Sequence, residues 1–198
     1  MSILKFKKIL QILSFLLFVS CSSTQITEST QFKELFPNTK RVVIALAEKS
    51  NLTQSEGASL VEIFQEQLKH HKEYIVYPLP KASLKCDIKK FPKIEGIFFL
   101  QASQKLDTEN SRLYLDFEVS LMNCKTGLVI WRGLRKDWFP LKNQGNESLK
   151  KTYVQKYGPS VENRVSPYFW MSQAILEDIP NPNLSPEEED EKIEVESN

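Results

Sequence analysis

Residues 113–121 read Leu-Tyr-Leu-Asp-Phe-Glu-Val-Ser-Leu. Apolar and polar side chains alternate without a break. Successive residues of a strand point to opposite faces, so Leu113, Leu115, Phe117, Val119 and Leu121 share one face, and Tyr114, Asp116, Glu118 and Ser120 the other. The pattern predicts a strand of an antiparallel sheet, with one face in the core and one in water. The next residues, Asn123-Cys124-Lys125-Thr126-Gly127, form a turn signal with a glycine available for positive φ. Leu128 to about Trp138 then reads as a hairpin partner, in which Gly133 suggests a bulge or bend. Gly96-Ile-Phe-Phe-Leu100 starts the strand before it, separated by the turn cluster Asp107–Ser111.

Upstream, Arg41 to Leu46 is a short apolar run rich in β-branched residues and reads as a buried strand. Thr53 to Glu56 matches a capping box, after which Leu60, Val61, Phe64 and Leu68 define one face of a helix running to about His71. Tyr74 to Tyr77 is a second short strand, stopped by Pro78 and Pro80. Downstream, Asn146 is placed to cap a helix bearing Leu149, Tyr153, Val154 and Tyr157, closed by Gly158-Pro159. Ser166-Pro167 reads as the start of another helix, presenting Tyr168, Met171, Ile175 and Ile179. The expected fold is α/β in the α+β sense: strand–helix–strand, then an antiparallel meander, with C-terminal helices packed on the sheet. Aromatic residues concentrate late in the chain, at Trp131, Trp138, Phe139, Tyr153, Tyr157, Tyr168, Phe169 and Trp170. They either pack the helices onto the sheet or line a groove for a partner.

The beginning of the chain carries a different signal. Lys5, Lys7 and Lys8 precede the apolar run Ile9–Val19, which is too short to span a bilayer as a stable helix. Phe18-Val19-Ser20-Cys21 resembles a bacterial lipobox, with Phe where Leu is commonest. That resemblance implies cleavage between Ser20 and Cys21, a diacylglycerol on the Cys21 sulfur and acylation of the new amino group. Two or three acyl chains anchor durably where one binds reversibly. A buried N-terminal helix with a chance cysteine, and a signal peptide cut elsewhere, are the competing readings. Ser22 follows the cysteine, with no Asp there to suggest inner-membrane retention, which favours the outer membrane. The expected organisation is a lipoprotein signal peptide over 1–20, a flexible tether over 21–36, one domain over 37–184 and a disordered acidic tail over 185–198.

Charge and cysteines bound the chemistry. Beyond residue 20 the chain has 23 basic and 25 acidic residues, no footprint for nucleic acid. Residues 185–198 hold seven acids and one lysine, while 21–184 are net +4. Such a tail is either solvating or a docking element. Cys86 and Cys124 are left after the anchor; they form a disulfide, remain as two structural thiols, or serve a catalytic or metal role, which would need a base that only His70 or His71 can supply. Asp116 and Glu118 are either an acid/base pair or a solvated face. Phosphate-loop, dinucleotide, zinc-protease, serine-hydrolase and CxxC signatures are all absent from the sequence.

The strand–helix–strand followed by "LMNCKTGLVIWRG" resembles the small α/β domain at the N-terminus of TolB and of curli-secretion-type lipoproteins, over about residues 40–139. Asn123, Thr126, Gly127 and Trp131 occupy the places of that family's hairpin turn and following tryptophan. Physically, Thr126-Gly127 is a turn and Trp131 an anchor in the core or on the sheet. The whole chain also resembles a family of uncharacterised small bacterial lipoproteins, through the late helix ending in Ile179-Pro180-Asn181-Pro182. Together these readings predict a non-catalytic, lipid-anchored outer-membrane protein, on the periplasmic face or the cell surface, acting as an envelope interaction or assembly module. Its expected partners are the membrane and an envelope protein, with no nucleic acid, metal or cofactor. A subunit of an export or secretion assembly, and an envelope hydrolase, are the alternatives.

Overall fold

The structure is a computed structural model, and it describes residues 23–78, 86, 93–142 and 145–197. In chain order the elements are β1 (Gln25–Glu28), α1 (Phe32–Leu35), β2 (Arg41–Leu46), α2 (Gln54–His71), β3 (Ile75–Val76), β4 (Gly96–Asp107), β5 (Arg112–Asn123), β6 (Val129–Pro140), α3 (Glu147–Tyr157), α4 (Val165–Asp178) and α5 (Pro186–Ser197). The strands form one mixed sheet in the order β1-β6-β5-β4-β2-β3. β4, β5 and β6 make the antiparallel meander, and β2 lies parallel to both β3 and β4. The α+β fold expected from the pattern is the fold observed.

β5 is the middle of the meander and shows why its sequence alternates. Leu113, Leu115, Phe117, Val119 and Leu121 are each 1 % exposed or less. All of these but Leu113 join Leu60, Phe64 and Leu68 of α2 and Tyr168, Met171 and Ile175 of α4 in one core. Phe64 meets Phe98 and Phe117 edge-on, and Tyr74 meets Phe98 in the same way. A smaller cluster lies on the opposite face, built from Val43, Ala45, Ile97 and Cys124. β2 is thus apolar on both faces, as its unbroken apolar run implies.

The capping box forms: Thr53 Oγ1 accepts from the Glu56 amide and the Glu56 carboxylate accepts from the Thr53 amide. Two other starts differ from expectation. Asn146 sits at the cap position in left-handed conformation (φ 57°) and its side chain caps nothing. Ser166 lies inside α4, one residue past its start, and its hydroxyl donates to the Gly145 carbonyl at 2.9 Å.

The bulge is also displaced. Leu121 pairs with Trp131 and Met122 with Val129, so Ile130 is the extra residue and Gly133 stays in regular register. Gly133 answers to a different need. The Trp131 ring lies over it, and a β-carbon at 133 would stand 2.6 Å from the ring edge.

The stretch 21–36, expected as a flexible tether, contributes structure. β1 pairs antiparallel with β6, Gln25 opposite Leu134 through Glu28 opposite Trp131. All four β1 residues are exposed, so backbone pairing places the segment and apolar burial does not. The acidic tail, expected to be disordered, is the helix α5 from Pro186 to Ser197. The segments around Cys21 and Ser20 lie outside the described residues.

Gly133→Val should destabilise the fold by about 1–3 kcal/mol, the usual cost of overpacking a filled site. Urea unfolding measures it; a variant as stable as the parent would show that the Trp131 ring has somewhere else to go.

Candidate functional site

Two charged clusters, a groove and one end of the sheet are the candidates for chemistry or binding. The first cluster is interior. Glu56, 5 % exposed, accepts from the Thr53 amide and hydroxyl on one oxygen. Its other oxygen accepts from Gln104 Nε2 at 2.9 Å and Arg164 Nε at 3.2 Å. Tyr168 donates to Gln104 Oε1 at 3.3 Å, extending the network into α4. Burial raises the Glu56 pKa, but the hydrogen bonds from Thr53 and Gln104 and the Arg164 charge outweigh it, and the carboxyl stays below its ordinary value. Both oxygens are engaged from three directions. The cluster ties the start of α2 to β4 and to the start of α4, a buried ion pair satisfied by hydrogen bonds. The capping box revealed Thr53 and Glu56 in advance; Gln104 and Arg164 had no signal, because they arrive from 48 and 108 residues away.

The second cluster joins α5 to the sheet. Lys40 Nζ meets Glu188 at 2.7 Å, and Arg41 bridges Glu95 at 2.9 Å and Glu191 at 2.6 Å. Tyr77 donates its hydroxyl to Glu191. Lys192 closes the far side, donating to Glu73 at 3.1 Å and to the Lys72 carbonyl at 3.0 Å. The Arg41 hydrogen bond holds Glu191 down at about 2, against burial that pulls it up. Burial and the Glu191 carboxylate together push the Tyr77 hydroxyl up to about 12. No residue of α5 is buried, and Ile193 is 64 % exposed. Charge, rather than apolar area, therefore fixes the helix in place. This is the physical reason that the composition of residues 185–198 misleads: the complementary cations stand about 150 residues upstream.

A groove of about 630 Å³ runs between α2 and the end of α3, lined by Leu46, Val61, Glu62, Gln65, Lys156 and Tyr157 among others. Glu62 accepts there from Lys156 at 2.5 Å and from the Tyr157 hydroxyl.

The remaining sequence-derived candidates are dispersed. Asp116 pairs with Lys136 at 2.8 Å and Glu118 with Arg132 at 3.2 Å, both across the β5–β6 ladder. Ser120 is nearly buried on the same face. His70 and His71 lie in the last turn of α2. Cys86 and Cys124 are joined in a disulfide, with Cα atoms 5.1 Å apart. Cys124 begins the hairpin turn, where the Asn123 carboxamide oxygen accepts from the Lys125 and Thr126 amides and Gly127 takes φ 71°. Among the described residues no group of three His, Cys, Asp or Glu is placed to hold a metal ion. No described helix is long and apolar enough to cross a membrane. Of the aromatic residues, Trp131, Tyr153 and Tyr168 are buried, whereas Trp138 and Trp170 stand exposed.

No family model matches the chain, and no curated protein matches it. Among solved structures, the PelC dodecamer from Paraburkholderia phytofirmans is similar at 13 % identity and a TM-score of 0.47, covering 72 % of this chain and 96 % of that one. The hypothetical protein CT253 from Chlamydia trachomatis is 14 % identical with a TM-score of 0.40, over 70 % and 92 % of the two chains. Lipoprotein GNA1162 from Neisseria meningitidis is 12 % identical with a TM-score of 0.37, over 62 % and 98 %. At these scores no property of those proteins is transferred to this chain.

Two outcomes test the clusters. Arg41→Ala should undock α5, seen as faster amide exchange in residues 186–197, with the sheet's protection unchanged. The pH dependence has a definite sign. Glu191, held at about 2 against an ordinary value of about 4.3, favours docking above that ordinary value and loses the contribution as pH falls toward 2. Protection of α5 amides, relative to the intrinsic exchange rate at each pH, that is unchanged between pH 7 and pH 2 would refute the electrostatic account. Separately, Cys86→Ser with Cys124→Ser should cost about 2–4 kcal/mol in urea unfolding, as expected for a closed loop of this length; thiol labelling of the denatured, unreduced wild type should find neither sulfur free.

Proposed function

We propose that this chain is an exported, non-catalytic envelope protein, lipid-anchored at Cys21 in the outer membrane, that serves as an interaction or assembly module. The Cys86–Cys124 disulfide is the observation that carries the reading. Such bonds persist outside the reducing cytoplasm, which agrees with the basic, apolar and lipobox-like stretches before Cys21. Ser22, following that cysteine without an Asp, supports the outer membrane as destination. The non-catalytic reading is supported by what the titratable groups do. Glu56 is consumed in fastening three elements, Asp116 and Glu118 in cross-strand pairs, and Glu188 and Glu191 in holding α5. The position of β1 supports a close anchor: Gln25 lies four residues after Cys21, a reach of at most about 14 Å.

Intact-mass analysis of protein purified from envelopes should give a chain beginning at Cys21 and carrying acyl mass. Cys21→Ala should retain residues 1–20. An unacylated chain, or one starting elsewhere, would end the anchoring part of the proposal. Cross-linking in intact envelopes followed by mass spectrometry tests the module part, which fails if no envelope protein is recovered with the wild type above the level of an uncross-linked control.

A further inference from the structure

One end of the open sheet face gathers residues that the fold does not require. Trp138 is 47 % exposed and Tyr114, directly opposite it on β5, is 38 % exposed. The Arg112 guanidinium lies 4.1 Å from the centre of the Trp138 ring, and Lys105 on β4 pairs with Tyr114. Leu106, beside Lys105, is 46 % exposed on the other face of the same end. Single exposed aromatics are ordinary on protein surfaces. An exposed Trp and Tyr in one cross-strand row, flanked by Arg and Lys, are the residue types that settle at a membrane–water interface, with rings at headgroup depth and cationic tips toward phosphate.

The direction of β1 supplies the independent observation. β1 runs antiparallel to β6 with Gln25 opposite Leu134, so the chain toward lower numbers heads along β6 toward Trp138. Trp138 lies four residues beyond Leu134, about 13 Å at the rise of a strand. Cys21 lies four residues before Gln25, with a reach of at most about 14 Å. That reach is long enough for an anchor at Cys21 to stand level with the aromatic row. The acidic helix α5 occupies the opposite edge, over β3 and β2, where its carboxylates stand away from this end. The carboxylates near the seat are held locally: Asp116 by Lys136, Asp137 by Arg135 and the Trp138 amide, and Asp107 by Asn110, with Glu109 on the hairpin tip.

We propose that the row Lys105–Tyr114–Trp138 with Arg112 is a membrane seat: it rests in the headgroup layer of a phospholipid bilayer beside the lipidated Cys21 and orients the domain on the membrane. The proposal rests on the reading of Cys21 as the anchor. Two acyl chains alone hold a domain near a surface; a second, interfacial contact fixes which side of it faces outward.

The test uses the lipidated full-length mature protein in vesicles of phosphatidylethanolamine and phosphatidylglycerol, with brominated lipids as quenchers. Trp138→Phe and Trp170→Phe each leave one exposed tryptophan, with buried Trp131 common to both. Trp138 emission should shift to the blue and be quenched by bromolipid, Trp170 emission should do neither, and Lys105→Glu with Arg112→Glu should abolish the Trp138 quenching. Acylated protein whose Trp138 is not quenched would overturn the seat and leave the anchor standing. A blue shift without quenching would mean that a protein surface, such as a second copy, covers Trp138, and would also overturn it. If intact mass shows no acyl chain, the anchor falls, and quenching of Trp138 in the unacylated chain by the same vesicles decides the seat alone.

Discussion

Everything in this molecule hangs on the twelve-residue register between β4, β5 and β6. Once β5 is paired on both sides, its alternation commits one sheet face to the core. α2, α3 and α4 cover that face, and the polar face is left to cross-strand ion pairs. A slip of one residue would turn Phe117 and Val119 to water and bring Asp116 and Glu118 into contact with Phe64 and Met171. The register is pinned at one end by the Asn123 turn, whose carboxamide binds three groups of its own loop and donates to Thr39 at 2.9 Å. It is locked further by Trp131, which needs the bare backbone of Gly133 in its own strand.

What could be read from the sequence is what periodicity encodes. β5 and the two strands beside it, the amphipathic face of α2 and its capping box announce themselves in local patterns. What could not be read depends on partners far along the chain. β1 is four residues with every side chain exposed, so nothing in Gln-Ile-Thr-Glu distinguishes a strand from a tether; only the free edge of β6 at Trp131–Leu134 does. α5 carries too few apolar residues to offset its ordering entropy, and that inference from composition fails because Lys40, Arg41 and Tyr77 provide the docking energy. The bulge falls at Ile130 and not at Gly133 for a related reason: a glycine within a strand admits a bulge, but it equally admits a ring lying against the backbone, and here it is the ring.

The two-sided burial of β2 explains why the disulfide stands where it does. Val43, Ala45 and Ile97 lie outside the helix-covered core and make a separate patch to which no described helix contributes. Cys124 belongs to that patch, and Cys86 packs against it with Tyr77, Ile94, Phe99 and Met122, so the covalent bond lies on apolar surface. The same architecture divides the open side of the sheet into an apolar half under the bridge and a charged, aromatic half at the hairpin ends.

The ends of the strand order bear on how copies of this protein behave together. A sheet terminates in rows of backbone donors and acceptors, which invite another sheet to continue the ladder. Here β3 is only two residues long, and the charged helix α5 lies against it. At the other side β1 is four residues, ending in Glu28; past it, the Trp138 amide is taken by Asp137 at 2.9 Å, and β6 ends on Pro140, which has no amide proton. Among the described residues, neither margin offers a long flat template for strand addition. Copies of this sheet can therefore meet at high concentration without continuing one another's ladder.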